Sequence, residues 1–340
     1  MYRGDLQCDG AAPCELRPPL RTIWRVEAGG AVSGTAAVLS DRVCTATMRG
    51  ALRMLRLSDG HPIWQYKGVD AFSASPAVKD GRVYIGDEGG VFYSFRAGDG
   101  KRLWKLQTGD KIVSSATVVG GAVLFGSYDS RLYCLNRITG KRIWAFKTGA
   151  QVHATPCVVG NHVIISGCDG WVRVIALATG KQSVKYRLGS NIPAAPAAAG
   201  NNVYLGNMEG IYAGLCLDTA QPIWKVQEHE QGAACYAAAL VAGNLVVFAS
   251  RSGRIFAVNT RNGAPKWTFL TGAEVNAAPV ISGGVIYAPC DGGTIFALNG
   301  STGKKIWEYR AGGKLEASCA IAHDRLVIGS SDGTLTCLGH

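Results

Sequence analysis

Tryptophan recurs at Trp24, Trp64, Trp104 and Trp144, forty residues apart, and again at Trp224, Trp267 and Trp307. Val184 stands at the missing step. The one wider interval, 43 residues between Trp224 and Trp267, coincides with about three extra residues in EHEQGAA at 228–234. These are eight copies of one unit, and each copy carries the same internal order. In the second copy a small-residue run, SASPAV (73–78), is followed by a turn and the apolar run RVYIG (82–86). The alternating run VFYSF (91–95) comes next, and then GDGKRLW (98–104), which leads into the tryptophan. Four short β-type runs every forty residues, with no 3.6-residue period inside them, predict an all-β, eight-bladed β-propeller of four-stranded blades.

The two ends of the repeat series predict how the ring closes. The last copy stops at His340 without a tryptophan strand, while TIWRV (22–26) precedes the first complete copy. An N-terminal outer strand that completes the last blade would leave no gap between first and last blades. We therefore expect an irregular arm over residues 1–21 and a single propeller over 22–340. A ring closed in this way is expected to be a monomer. The 45 glycines suit the many turns, and 47% hydrophobic residues suffice for a large core.

The formal charge of +11 resides largely in turn motifs such as GKR at 100–102 and 140–142 and GKK at 303–305. Spread around the ring without interleaved aromatics, it reads as solvated turns, and no nucleic-acid partner is expected. No apolar run reaches the length of a membrane span, so no membrane partner is expected. The opening residues MYRGDLQCDG lack the basic-then-apolar pattern of a secretion signal. Eleven cysteines include no C-x-x-C pair and no zinc-like spacing. Cys134, Cys216 and Cys337 occupy one repeat position and read as small core residues in a reducing, cytoplasmic setting. Cys8 and Cys14, in the arm, are the expected exposed thiols. No metal site follows.

The segment LNRITGKRIW (135–144), echoed by LNGSTGKKIW (298–307), resembles the tryptophan-docking motif of the pyrroloquinoline-quinone-like propeller repeats. The resemblance runs from Thr22 to the end. It implies that Trp104, Trp144 and Trp307 pack between blades, with the Gly-Lys turn docked on a neighbour. Quinoprotein dehydrogenases of this family hold a quinone and calcium on the axis, beneath a disulfide between adjacent cysteines. This sequence has no adjacent cysteine pair, and no cofactor is expected. Other members are outer-membrane assembly lipoproteins, kinase sensor domains and propellers attached to activating enzymes, so the fold alone chooses no function.

Comparing equivalent positions locates a candidate site. One position is uniformly apolar: Val32, Phe72, Ile112, Val152, Ile192, Cys235, Val275 and Leu315. The next residue changes chemistry from copy to copy: Ser33, Ser73, Val113, His153, Pro193, Tyr236, Asn276 and Glu316. A position needed only for folding should repeat its chemistry, whereas a ring facing a ligand need not. His153, Tyr236 and Glu316 are candidate acid–base residues and Asn276 a candidate ligand contact at the channel mouth. A second variable ring, between the second and third strands, contributes Glu88, Tyr128, Arg251 and Asp291. Trp171, outside the tryptophan series, and His229, in the insertion, are further candidate contacts.

Three functions remain open. The first is a non-redox recognition or scaffold protein that binds a protein partner or small ligand at its top-face channel mouth. The second is a cofactor-independent cytoplasmic enzyme, a cyclase, isomerase or hydrolase, working at the same place. A quinone-dependent dehydrogenase ranks last.

Overall fold

A computed structural model describes residues 6–12 and 14–340. Thirty-two strands follow one another, with no helix among the described residues. They form eight four-stranded antiparallel sheets, the blades. Blade 1 is built from β2 (Ala37–Leu39), β3 (Arg42–Ala46), β4 (Ala51–Arg56) and β5 (Pro62–Lys67), and blades 2 to 7 repeat it. Blade 8 combines β30 (Ala320–Ala322), β31 (Arg325–Gly329) and β32 (Thr334–Gly339) with β1 (Arg21–Glu27). The pair β1–β32 runs antiparallel from Arg21 opposite Gly339 to Glu27 opposite Thr334. The ring therefore closes through its N-terminal strand.

Burial explains why strand patterns differ within a blade. The second and third strands are covered by a neighbouring blade on each face, so Val83–Gly86 and Phe92–Phe95 are continuously buried. The outer strand alternates: Trp64 and Tyr66 turn toward the next blade, whereas Ile63, Gln65 and Lys67 face water. The inner strand is shorter than the sequence suggests. Of SASPAV only Ala77 and Val78 join the ladder, in Ala77–Lys79, and the preceding residues form the rim of the channel.

Two contacts between blades recur. Six outer tryptophans donate their Nε1–H to a carbonyl of the next blade, among them Trp24 to Leu57 at 2.7 Å, Trp64 to Ala97 at 2.9 Å, and Trp144 to Leu177 at 2.9 Å. Each of these indole faces lies on the glycine of the following turn. A Cβ on Gly100 would stand 2.6 Å from Trp64, and one on Gly180 2.6 Å from Trp144. Both glycines have φ near +70°, which L-residues with a Cβ avoid. The second contact explains the uniformly apolar ring: Val32 packs on Gly329 and Ile112 on Gly86, each leaving no room for a Cβ.

The single substituted copy departs at both partners. Val184 replaces tryptophan in blade 4, and the turn it faces in blade 5 carries Ala220, at φ 53°, where other turns carry glycine. Blade 7 differs again. The turn that should cover Trp307 falls between the two chain ends, and Leu16 and Leu20 of the arm pack beside Trp307 instead.

The arm is built into the ring. Its carbonyls accept from inner strands of four successive blades: Val158 N to Leu6 O, Ala198 N to Gln7 O, Val241 N to Asp9 O and Ile281 N to Gly10 O. It then crosses blade 7, where the Ser282 hydroxyl accepts from Leu16 N at 2.7 Å and Tyr287 donates to Leu16 O at 2.9 Å. Cys8, expected to be exposed, is 1% exposed because the arm runs inside the channel. Cys14 is half-buried. Cys134 and Cys337 are buried core residues as expected, but Cys216 is half-exposed at its strand end.

Two substitutions test these contacts. Val184→Trp combined with Ala220→Gly should raise unfolding free energy by about 1–3 kcal/mol, from one hydrogen bond and added apolar burial. Val184→Trp alone should gain less, because the Ala220 Cβ occupies the indole's seat. Chemical denaturation of the single and double variants reads this coupling. Leu16→Ala should cost about 2–5 kcal/mol, whereas a loosely attached arm would leave stability unchanged.

Candidate functional site

One repeated backbone bond positions both variable rings. The N–H of each second-ring residue donates to the carbonyl just before the apolar ring: Glu88 to Ala71, Tyr128 to Lys111, Arg251 to Ala234 and Asp291 to Glu274, all 2.9–3.0 Å. Because main-chain atoms carry this contact, the side chains are free to differ. All eight residues of the first ring line one cavity of about 160 Å³ at the channel mouth. His153, Tyr236, Asn276 and Glu316 thus share a wall.

Their bonding differs from an acid–base set. Among the described residues no hydrogen bond joins His153, Tyr236 and Glu316, and Glu316 is exposed. His153 Nδ1 instead lies 2.8 Å from the Tyr128 hydroxyl. Burial pushes the Tyr128 phenol up, while burial and then the Lys111 ammonium push the His153 imidazole down. Both groups therefore favour their neutral forms, joined through the Tyr128 hydroxyl and His153 Nδ1.

Across the mouth, Tyr236, Arg251, Glu274, Asn276 and Asp291 form one network. Arg251 holds Glu274 Oε2 through Nε and Nη2, both at 2.7 Å, and its guanidinium lies 5.5 Å from the Tyr236 ring centre. Asn276 Nδ2 donates to Asp291 Oδ2 at 3.0 Å and approaches Glu274 at 3.4 Å. The Arg251 hydrogen bond holds the Glu274 carboxyl below the usual carboxylate range. Glu274 and Lys111 did not emerge from the sequence comparison. Both occupy the position before the apolar ring, which also varies, though less than the ring after it: Ala31, Ala71, Lys111, Gln151, Asn191, Ala234, Glu274, Lys314.

The remaining candidates lie elsewhere. Glu88 is half-buried on the second ring. Trp171 does not line the mouth cavity; it begins the third strand of blade 4, with Lys185 Nζ 4.3 Å from its ring centre. His229 lines a separate open depression with Met208, Glu209 and Gln227. The insertion that carries it is anchored by buried Glu228, which accepts from the hydroxyls of Tyr212 at 2.9 Å and Ser250 at 3.0 Å.

The quinone and calcium implied by the resemblance do not fit these residues. The mouth cavity has neither a tryptophan nor a cysteine in its lining. Among the described residues no three of His, Cys, Asp and Glu gather around a possible ion. Among the described residues lining the cavity Glu316 is the one carboxylate, and Glu274 and Asp291 beside it are engaged by Arg251 and Asn276.

The His153 environment sets a pH dependence. In the unfolded chain a histidine titrates near 6.5, and the folded imidazole titrates lower. Below 6.5 the unfolded state binds more protons. The stability from this group is therefore complete above that pH and is lost as pH falls toward the folded value. NMR titration should give a His153 midpoint below 6.5, moving part of the way back in Lys111→Ala. A midpoint at or above 6.5 would contradict the assigned environment.

Known proteins with this architecture differ widely. The family model described as outer membrane protein assembly factor BamB matches residues 21–126, 108–231 and 216–339. No curated protein matches in sequence. Among solved structures, BamB from Moraxella catarrhalis is 20% identical with a TM-score of 0.81, over 95% of this chain and 98% of that one. The computationally designed Ika8 protein is 19% identical with a TM-score of 0.81, over 97% and 99% of the two chains. A europium-containing methanol dehydrogenase is 12% identical with a TM-score of 0.85, over 100% and 97%. At these identities the structural likeness establishes the fold alone. The matched segments run almost unbroken from residue 21 to 339, and the chain belongs to the pyrroloquinoline-quinone-like repeat family represented by that assembly-factor model.

Proposed function

We propose that this propeller is a non-redox recognition scaffold that binds a protein partner across the rim of its channel mouth. The observation that carries the reading is how the mouth spends its polar groups. At its partly exposed rim Arg251 pairs with Glu274 and Asn276 holds Asp291, above a cavity of about 160 Å³. Small-molecule pockets usually enclose about 300–1,000 Å³. Rim charges of this kind confer partner choice and association rate more than raw affinity. The likeness to an assembly factor supports the same reading. A reducing, cytoplasmic setting is part of the proposal, supported by the unpaired buried thiols of Cys44, Cys134, Cys235, Cys290, Cys319 and Cys337.

A ligand-binding or enzymatic mouth is the second reading. It rests on two buried polar atoms without partners among the described residues, Ser73 Oγ in the cavity wall and Asp291 Oδ1 beside it. The test compares affinity capture from the native host by the wild-type protein, by an Arg251→Ala/Glu88→Ala variant and by Lys266→Ala, exposed on the outer strand of blade 6. We expect a partner whose affinity falls at least about tenfold, about 1.4 kcal/mol, in the rim variant and holds in Lys266→Ala. A small-molecule adduct seen by native mass spectrometry, lost on His153→Ala, would overturn the scaffold reading in favour of the second.

A further inference from the structure

We infer that the channel contains a second binding site, away from the mouth, which takes an extended peptide strand of small side chains along the inner strands of blades 8, 1 and 2. The starting point is the ladder. In each three-residue inner strand the middle residue faces its partner on the second strand at a position where its own N–H points to the channel axis. Val158, paired with Val163, and Ile281, paired with Ile286, are of this kind, and arm carbonyls accept their protons at 2.7 and 2.9 Å. Ile321, Val38 and Val78 occupy the same register, opposite Leu326, Val43 and Val83. Among the described residues none of these three N–H groups has an acceptor. These donors, one on each of three neighbouring inner edges, match the one-per-blade donors that the arm carbonyls cap in blades 4 to 7, and unpaired edge donors are a template for an added extended segment.

The space beside that edge is present. A cavity of about 280 Å³ is bounded by Gly10–Ala12 of the arm, β2, Val78 and Lys79, and by Cys319–Ala322. It continues from the end of the arm's path, since the arm leaves the axis after Ala12 and turns along blade 7. The arm itself defines what such an occupant looks like. Leu6 to Gly10 serve four blades, about one acceptor per residue, and the arm residues that wall the cavity are Gly10, Ala11 and Ala12. A hydroxyl belt rings the level above: Thr35 N donates to Ser75 Oγ, Ser75 N to Ser115 Oγ, Ala278 N to Ser318 Oγ and Ser318 N to Thr35 Oγ1, at 2.9–3.2 Å.

Amide hydrogen exchange on the full chain tests this, with a synthetic heptapeptide copying Leu6–Ala12 and carrying Cys8→Ala as the probe. Without peptide, the amides of Val38, Val78 and Ile321 should exchange much faster than those of Val158, Ala198, Val241 and Ile281. With peptide at ten times its Kd, all three should slow by about tenfold, while Glu88 and Arg251 at the mouth stay unchanged. Val78→Pro removes one donor at an edge position that tolerates proline and should weaken peptide binding several-fold, leaving the arm-capped amides protected. The proposal is overturned if the three amides are already as slow as the arm-capped four, or if millimolar peptide slows none of them. Protection confined to the mouth would overturn it equally.

Discussion

The indole lying flat on a glycine turn is the contact on which the ring depends. A single blade is a sheet with two open faces, and its neighbours must cover them. The tryptophan packs on one neighbour while satisfying its own N–H there, so packing and hydrogen bonding are committed to one geometry. That geometry demands a residue without a Cβ and with positive φ. The Trp64–Gly100 and Trp144–Gly180 pairs are therefore single units split between two blades. Val184 and Ala220 show the coupling from the other side: where the indole is absent, the demand for glycine lapses as well.

A ring built from such contacts has one unavoidable flaw, the place where the chain begins and ends. Strand β1 repairs the sheet, but it cannot supply the turn that should cover Trp307. Leu16 and Leu20 take that role, and the residues before them go on to tie four inner strands together. The arm and the hydroxyl belt divide the circle between them. Hydroxyl bonds join blades 7, 8, 1, 2 and 3. Hydroxyls of Ser114 and Thr117 reach carbonyls of blade 4 at 3.0 and 2.6 Å. At the next junctions the equivalent belt acceptors are Ala195, Ala238 and Ala278, which cannot serve, and there the arm crosses.

This division also explains what could be read from the residues alone. Blade number and strand order are periodic, so eight copies of one pattern repeat each turn and strand signal, and closure shows where the pattern breaks at its two ends. The first ring at the mouth was legible for the same reason, because variability at a fixed position is itself a periodic signal. Glu274 and Lys111 carry that signal too, two residues earlier, on the other side of the apolar position that marks the rim. The arm could not be read this way. Its residues occur once, and Leu6, Cys8 and Leu16 resemble any irregular leader until they are seen inside the channel. The expected exposure of Cys8 failed on this point. His229 and Trp171 show a related limit: nearness in the repeat places a residue on a blade, not on the axis.

Where function can reside follows from the same separation of duties. Positions whose side chains hold blades together have little freedom, as the uniformly apolar ring and the paired tryptophans and glycines show. At the mouth, backbone N–H and carbonyl groups hold the loops in every blade, so substitution there costs the fold little. Blades 3 and 4 use that freedom for a neutral Tyr128–His153 pair, and blades 6 and 7 for the charged network around Arg251. An eightfold scaffold thus presents an uncharged contact and a charged network on different arcs of one rim. A partner that touched both would have only one way to seat itself on an otherwise repetitive ring.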